Sequence, residues 1–298
     1  MASRVAGAFV LALAVGCAAS APVETRLPQG AVLVAAVGDG QALATDGRVV
    51  YLADGAEATV RTFTPSGVSG ALAAGPVYGG RGAGGAGALL APRGLDVGTG
   101  LLVLVADAGR GEVARFTTRG EQAAPLVVPD LDPTAGVRER IERAAPRGRP
   151  VAVASRAGVV YIADAGRSHV LRYADDRLEA VLGGPADREA ALSRPTSLAL
   201  GADGTLYVAD GGRVQPFGPL GPPRPALPLG LDAASVAVAD GRLVVAGSAD
   251  GTAALARGPV DGPLVTTHLD LGEPLRGAVF WAGGVLVLTP TRLVWLAP

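Results

Sequence analysis

From Gly30 onward the apolar residues fall in runs of four to eight, and each run is broken by Gly, Pro or Asp. That spacing predicts short β-strands joined by tight turns, with no amphipathic helix of ordinary length. Four of the runs restate one phrase: Tyr51-Leu-Ala-Asp54, Leu104-Val-Ala-Asp107, Tyr161-Ile-Ala-Asp164 and Tyr207-Val-Ala-Asp210. In the first three a Val follows the Asp by six residues (Val60, Val113, Val170) and an aromatic by nine (Phe63, Phe116, Tyr173). The fourth turn is two residues shorter, and Val214 and Phe217 keep the same separation. Two weaker copies follow. One is Val236–Gly247, where Gly247 replaces the Asp, and the other runs from Ala278 to Thr289.

Six copies at a period of roughly 47 residues predict an all-β, six-bladed β-propeller of four-stranded antiparallel blades. The last copy has strands near 276–281, 285–289 and 292–296, one short of four, whereas Ala31–Val37 is a spare strand before the first copy. Pairing that N-terminal strand with the sixth blade completes it and leaves the ring without a first or last edge. The longest interruption is 129–150, a charged insertion in which Asp132-Pro133-Thr134 is a plausible helix start.

Composition narrows the function only a little. The formal net charge is −1, so no global field recruits nucleic acid or an acidic surface. Aromatics make up 4% of the chain, which leaves Val, Leu, Ile and Ala to build the core. There is no Lys and no Asn, so all 26 basic residues are Arg, the mark of a GC-rich genome.

At the N-terminus, Arg4 precedes an apolar run from Val5 to Val15 that is too short to span a bilayer and reads as a secretory signal. Ala14-Val-Gly-Cys17 resembles a bacterial lipobox, with Ala14 where Leu is usual. The resemblance implies that Cys17 is acylated and becomes the mature N-terminus. A plain signal cut nearby is the alternative. The expected division is a signal peptide over 1–16, a tether over 17–29 and the propeller over 30–298. Cys17 is the only cysteine, so no intramolecular disulfide is available and stability must come from packing.

The segment Gly183–Ala199, with Arg194-Pro195, leads into Asp203-Gly-Thr-Leu-Tyr-Val-Ala-Asp210, and Gly79–Leu95 repeats its linker half. This order of Gly-rich turn, Arg-Pro, Asp-Gly hairpin and Tyr-Val-Ala-Asp strand resembles the NHL-repeat family of six-bladed propellers. The match covers about 40–240 well and the last two blades weakly. The family often has Asn in the turn after the Asp, where this chain has Gly, Arg or Ser. The resemblance implies a sensor module, a protein- or RNA-binding platform, or an enzyme related to amidating lyases and lactonases.

Candidate chemistry is sparse. The repeated Asp54, Asp107, Asp164 and Asp210 have two readings: acidic ligands around a central channel, or turn caps that accept backbone N–H groups. His169 and His268 are far apart in sequence, there is no Asn, and no Gly-x-Ser-x-Gly elbow is present. A propeller metal site built from several His, Asn or acidic side chains is therefore not expected, and neither is a cofactor. A carboxylate-only Ca²⁺ site is the one metal option left. Gly75–Gly87 lacks the Gly-Lys-Ser/Thr ending of a phosphate loop.

Arginine placement is the most suggestive pattern. Arg93, Arg149 and Arg194 fall where the chain leads into the innermost strand of blades two to four. Arg110, Arg167 and Arg213 fall in the loop between strands two and three of the same blades. Both loops lie on one face, so the six form either an anion-binding patch or a set of locally paired staples. These loops carry no aromatic stacking partners for RNA. The expectation is a monomeric, non-enzymatic binding or scaffold module, lipid-anchored to the bacterial cell envelope. Its partner would be an envelope protein, an anionic small molecule or a glycan, and not a nucleic acid. The alternative is a propeller hydrolase or lyase with a metal in the central channel.

Overall fold

The computed structural model describes residues 31–66, 72–81, 87–98, 102–131, 147–184 and 187–298. Strand β1 (Ala31–Ala36) comes first. Blade 1 then contains β2 (Gly40–Thr45), β3 (Val50–Asp54), β4 (Thr59–Pro65) and β5 (Leu72–Gly79). Blade 2 contains β6 (Pro92–Val97), β7 (Leu102–Asp107), β8 (Glu112–Thr117) and β9 (Gln122–Val127). Blade 3 contains β10 (Pro150–Arg156), β11 (Val159–Asp164), β12 (His169–Ala174) and β13 (Arg177–Leu182). Blade 4 contains β14 (Pro195–Leu200), β15 (Leu206–Asp210), β16 (Arg213–Phe217) and β17 (Leu227–Pro228). Blade 5 contains β18 (Asp232–Ala239), β19 (Arg242–Ala249), β20 (Thr252–Pro259) and β21 (Val265–Leu269). Blade 6 contains β22 (Gly277–Trp281), β23 (Gly284–Leu288) and β24 (Arg292–Leu296), and its strand order is β1-β24-β23-β22.

The spare N-terminal strand therefore closes the ring as expected. Ala31 pairs with Leu296 and Ala36 with Arg292, antiparallel. The described residues contain no helix. The residues proposed as signal peptide and tether, Cys17 among them, lie outside the described residues, as do 132–146 of the charged insertion.

Burial explains why the second strands are almost wholly apolar. Each blade is covered on both faces by its neighbours, so alternation is lost and β3, β7 and β15 bury nearly every residue. Six apolar clusters fill the six spaces between adjacent blades. The one joining blades 6 and 1 contains Val50, Leu52, Trp281, Leu286 and Leu288, with Val34 and Ala35 of β1 packed against it. The repeated Val60, Val113, Val170 and Val214 are fully buried, and Phe63, Phe116, Tyr173 and Phe217 are nearly so. The recurring positions of the sequence are thus the contacts between blades.

The turn after each Asp shows what the lack of Asn entails. Its last residue takes a left-handed conformation at Ala58 (φ 53°), Gly111 (φ 63°) and Ser168 (φ 49°). Asn or Gly adopts that region most easily, so Ala58 and Ser168 carry a local strain that Gly111 does not. Where the Asp itself is missing, the backbone explains it. A Cβ on Gly247 would lie 2.0 Å from the Asp232 carbonyl oxygen, so strands β18 and β19 leave no room for a side chain there.

Candidate functional site

The four repeated aspartates are buried caps. Asp54 Oδ1 accepts the Ala56 and Glu57 N–H groups, and Oδ2 accepts Gly38 N–H at 3.3 Å. Asp107 accepts four, from Leu90, Ala91, Gly109 and Arg110. Asp210 accepts Ser193 and Arg194 N–H on one oxygen and the Arg213 guanidinium on the other. Each carboxylate thus ties the turn after the second strand to the segment leading into the first. This is why an Asp recurs there, and these carboxylates are consumed by structure.

Blade 3 departs from this pattern. Asp164 Oδ1 accepts Arg149 and Gly166 N–H, but Gly148 N–H bonds Val128 O and leaves Oδ2 unpartnered. His169 Nε2 stands 3.8 Å from that oxygen, and the buried Tyr173 hydroxyl is unpartnered as well. Burial, the largest influence, lowers the His169 pKa; it also raises that of Tyr173 to about 12, with Asp164 adding to the rise. His268 sits on the outer strand β21, with Nδ1 at 3.1 Å from Thr252 Oγ1. The two histidines are two blades apart, and neither lines the channel.

The axis of the ring holds a cavity of about 370 Å³ lined by the innermost strand of every blade. Its rim has a specific construction. In five blades the pairing of the first strand with the second shifts at the same place: Gly40/Ala42, Pro92/Gly94, Pro150/Ala152, Pro195/Ser197 and Ala233/Ser235. Each shift is a β-bulge, one extra residue that re-aims a side chain. The extra residues are Gln41, Arg93, Val151, Thr196 and Ala234. Arg276, whose N–H bonds Leu288 O at 2.7 Å, takes the corresponding place in blade 6. All six line the cavity.

Around the ring, then, blades 6, 1 and 2 present Arg276, Gln41 and Arg93 side by side, and blades 3 to 5 present Val151, Thr196 and Ala234. Arg93 Nη1 donates to Gln41 Oε1 at 2.6 Å. Among the described residues neither Arg93 nor Arg276 forms an ion pair, and both are exposed.

The six arginines expected on one face divide. Arg110 pairs with Glu112 at 2.8 Å, and Arg167 closes on Asp130 with two bonds. Arg213 closes on Asp210 and donates to Ala191 O, while Arg194 pairs with Asp232 of the next blade. Arg149 is exposed at the residue before Pro150. Arg93 is not equivalent to Arg149 and Arg194: it follows its proline (Pro92) where they precede theirs, and that offset puts it on the bulge. Arg276 and Gln41 were not singled out in the sequence. The available signal is register, since Gln41 precedes Asp54 by the same thirteen residues by which Arg276 precedes Thr289.

Deeper in the channel, Asp96 Oδ2 accepts Ser155 N–H at 2.7 Å and Ser155 Oγ–H at 2.6 Å. Ser197 and Ser235 do the same service for Val236 and Ala278 N–H. The innermost strand is the edge of each blade, and these side chains satisfy its outward N–H groups from the neighbouring blade. Asp96 is the charged member of the set. Burial, only partly offset by the Ser155 hydrogen bonds, raises its pKa to about 6.

No protein-family model matches this chain, and no curated protein does. Solved structures share its fold at low identity. A gluconolactonase from Xanthomonas campestris is 15% identical, with a TM-score of 0.62 over 88% of this chain and 87% of that one. The virginiamycin B lyase from Staphylococcus aureus is 11% identical, with a TM-score of 0.58 over 90% and 98%. A nidogen/laminin complex contributes a chain 18% identical, with a TM-score of 0.56 over 80% and 84%. These likenesses show a shared propeller fold.

Proposed function

We propose that this protein is a non-enzymatic binding module of the bacterial cell envelope, with the rim of the central channel as its ligand face. The observation that carries the reading is the ring of bulges. Five blades each turn one bulged side chain toward the same opening, and Arg276 takes the matching place in the sixth. A cavity of this size, with charged and amide groups at its mouth and a lining that mixes polar and apolar surface, suits a small ligand or a projecting side chain of an envelope protein. The test is a thermal-shift screen of envelope metabolites and glycans, run in a metal chelator. Ligands that stabilise the protein with the chelator present, and lose that effect when Gln41, Arg93 and Arg276 are changed together, support the reading. A screen with no such ligand overturns it.

The envelope placement rests on the lipobox-like Ala14–Cys17. Labelling cells with a fatty acid should mark the wild type and leave Cys17→Ser unmarked, whereas equal label in both ends the idea of a lipid anchor.

A propeller hydrolase or lyase is the second reading, favoured by the likeness to proteins described as a gluconolactonase and a lyase and by the raised pKa of Asp96 within the channel. The residues present fit a channel metal poorly. Among the described residues Asp96 is the only carboxylate lining the cavity, and one of its oxygens already accepts two bonds. No group of three or more His, Cys, Asp or Glu is gathered elsewhere among them. Turnover of a lactone that depends on an added divalent ion and is lost in Asp96→Asn would favour this reading over the first.

A further inference from the structure

We infer that Arg93, Gln41 and Arg276 form a site for the anionic head of a small molecule, a carboxylate or phosphate, held at one sector of the channel mouth. This rests on the binding-module reading and gives it a ligand class. Most of the expected arginine charges on this face are already spent. Arg110, Arg167, Arg194 and Arg213 each close on a carboxylate, so their forks are occupied. Arg93 and Arg276 do not. They stand at the bulge of blade 2 and at the matching place before β22 in blade 6, on either side of blade 1, where the fold brings the innermost strands together. A Cβ on Gly277 of β22 would sit 3.6 Å from Leu43 N of β2, which shows how closely blades 6 and 1 meet at this rim.

Gln41 sits between the two arginines, and its one strong acceptor is already used. Its Oε1 takes the Arg93 Nη1 hydrogen, and its NH₂ group, with two further hydrogens to donate, completes the set. The sector therefore presents two guanidiniums and an amide NH₂, all donors. Asp39 Oδ2 and Gln41 Nε2 border the same space beside Gly55, where an added Cβ would lie 2.6 Å from one and 3.1 Å from the other, and Asp39 forms an ion pair with neither arginine. Two cations that line one cavity, neither ion-paired among the described residues, attract a multi-oxygen anion. Planar guanidinium forks suit carboxylate and phosphate oxygens.

The channel gives the ligand a direction. Below the rim the wall is mostly Ala, Gly, Leu and Val, with Ser197 and Ser235 engaged by neighbouring backbone N–H groups. Asp96 lies three residues further along β6 from Arg93, roughly 10 Å at strand rise. A second negative group reaching that depth would meet the Asp96 carboxylate. The site thus selects a ligand with its charge at the mouth end and an uncharged body.

Isothermal titration calorimetry on the purified protein tests this with three probes: sodium D-gluconate, inorganic phosphate and neutral D-glucose. Gluconate or phosphate should bind the wild type and weaken as salt is raised, because rim charges are screened. Which of the two binds names the head group. Arg93→Ala and Arg276→Ala should each lose about tenfold or more in affinity, whereas Arg149→Ala, which removes an exposed charge off the rim, should retain it. Arg276→Lys should recover part of the loss, since it keeps the charge without the fork. Melting curves of each variant confirm folding. Anion binding that survives both rim substitutions, or that falls equally in Arg149→Ala, overturns the inference. So does glucose binding as tightly as gluconate, but that outcome leaves the binding-module reading standing. If no anion binds while the screen yields neutral ligands, this inference alone fails.

Discussion

Asp96 offers a stability experiment whose sign follows from one carboxyl group. Its folded pKa is held at about 6 by burial, against 3.8 for the free side chain. The folded protein therefore keeps its proton over a pH range in which the unfolded chain has released it. Stability from this group is fully present below about pH 4 and is lost as pH rises to about 6, because there the folded state binds more protons than the unfolded one. At about 1.4 kcal/mol per pKa unit, the upper limit of the loss is about 3 kcal/mol. Asp96 borders a channel open to solvent, so screening reduces this to about 1 to 2 kcal/mol. Asp96→Asn keeps an acceptor oxygen for Ser155 N–H and Oγ–H while removing the charge. Urea unfolding of wild type and variant should be compared across pH 4 to 8. The variant should be about 1 to 2 kcal/mol more stable than wild type near pH 7.5 and no more stable near pH 4. Every other titrating group, His169 included, cancels in the difference. Parallel curves across the whole range would refute the reasoning, and so would a variant that is less stable at pH 7.5.

Three further outcomes are expected. Removing residues through Ala36 deletes the outer strand of blade 6, its five paired positions and the packing of Val34 and Ala35; at about 1 kcal/mol per hydrogen bond plus lost burial, it should cost about 5 kcal/mol or more, whereas removal through 29 should leave the melting temperature unchanged. Tyr173→Phe discards a buried hydroxyl without a partner and should be neutral or stabilising by up to about 1 kcal/mol in chemical denaturation; a loss of about 2 kcal/mol would mean that the hydroxyl is bonded after all. In proton NMR, the His169 ring should titrate below the ordinary 6.5; because the unfolded chain then takes up a proton first, this group's contribution to stability should fall as pH drops through 6.5.

Much of the architecture was legible in the chain. Blade number, ring closure by Ala31–Ala36 and the capping role of Asp54, Asp107 and Asp210 all follow from a unit repeated at a fixed period. Each copy solves the same local problem, a buried strand followed by a turn whose N–H groups need an acceptor. What stayed hidden depends on neighbours one blade away, about fifty residues distant in sequence. Whether Arg194 is free or paired is decided by Asp232 of the next blade. Asp96 has a raised pKa because the surrounding blades desolvate it more than the hydrogen bonds from Ser155 of the next blade compensate. Arg93 reaches the rim that Arg276 shares only because a single extra residue at the start of β6 breaks the two-residue alternation. A bulge has no composition of its own and becomes visible only when two strands are laid in register. Repetition thus specified the ring, while the lateral packing of one blade on the next decided which of its side chains are spent on structure and which remain free at the mouth of the channel.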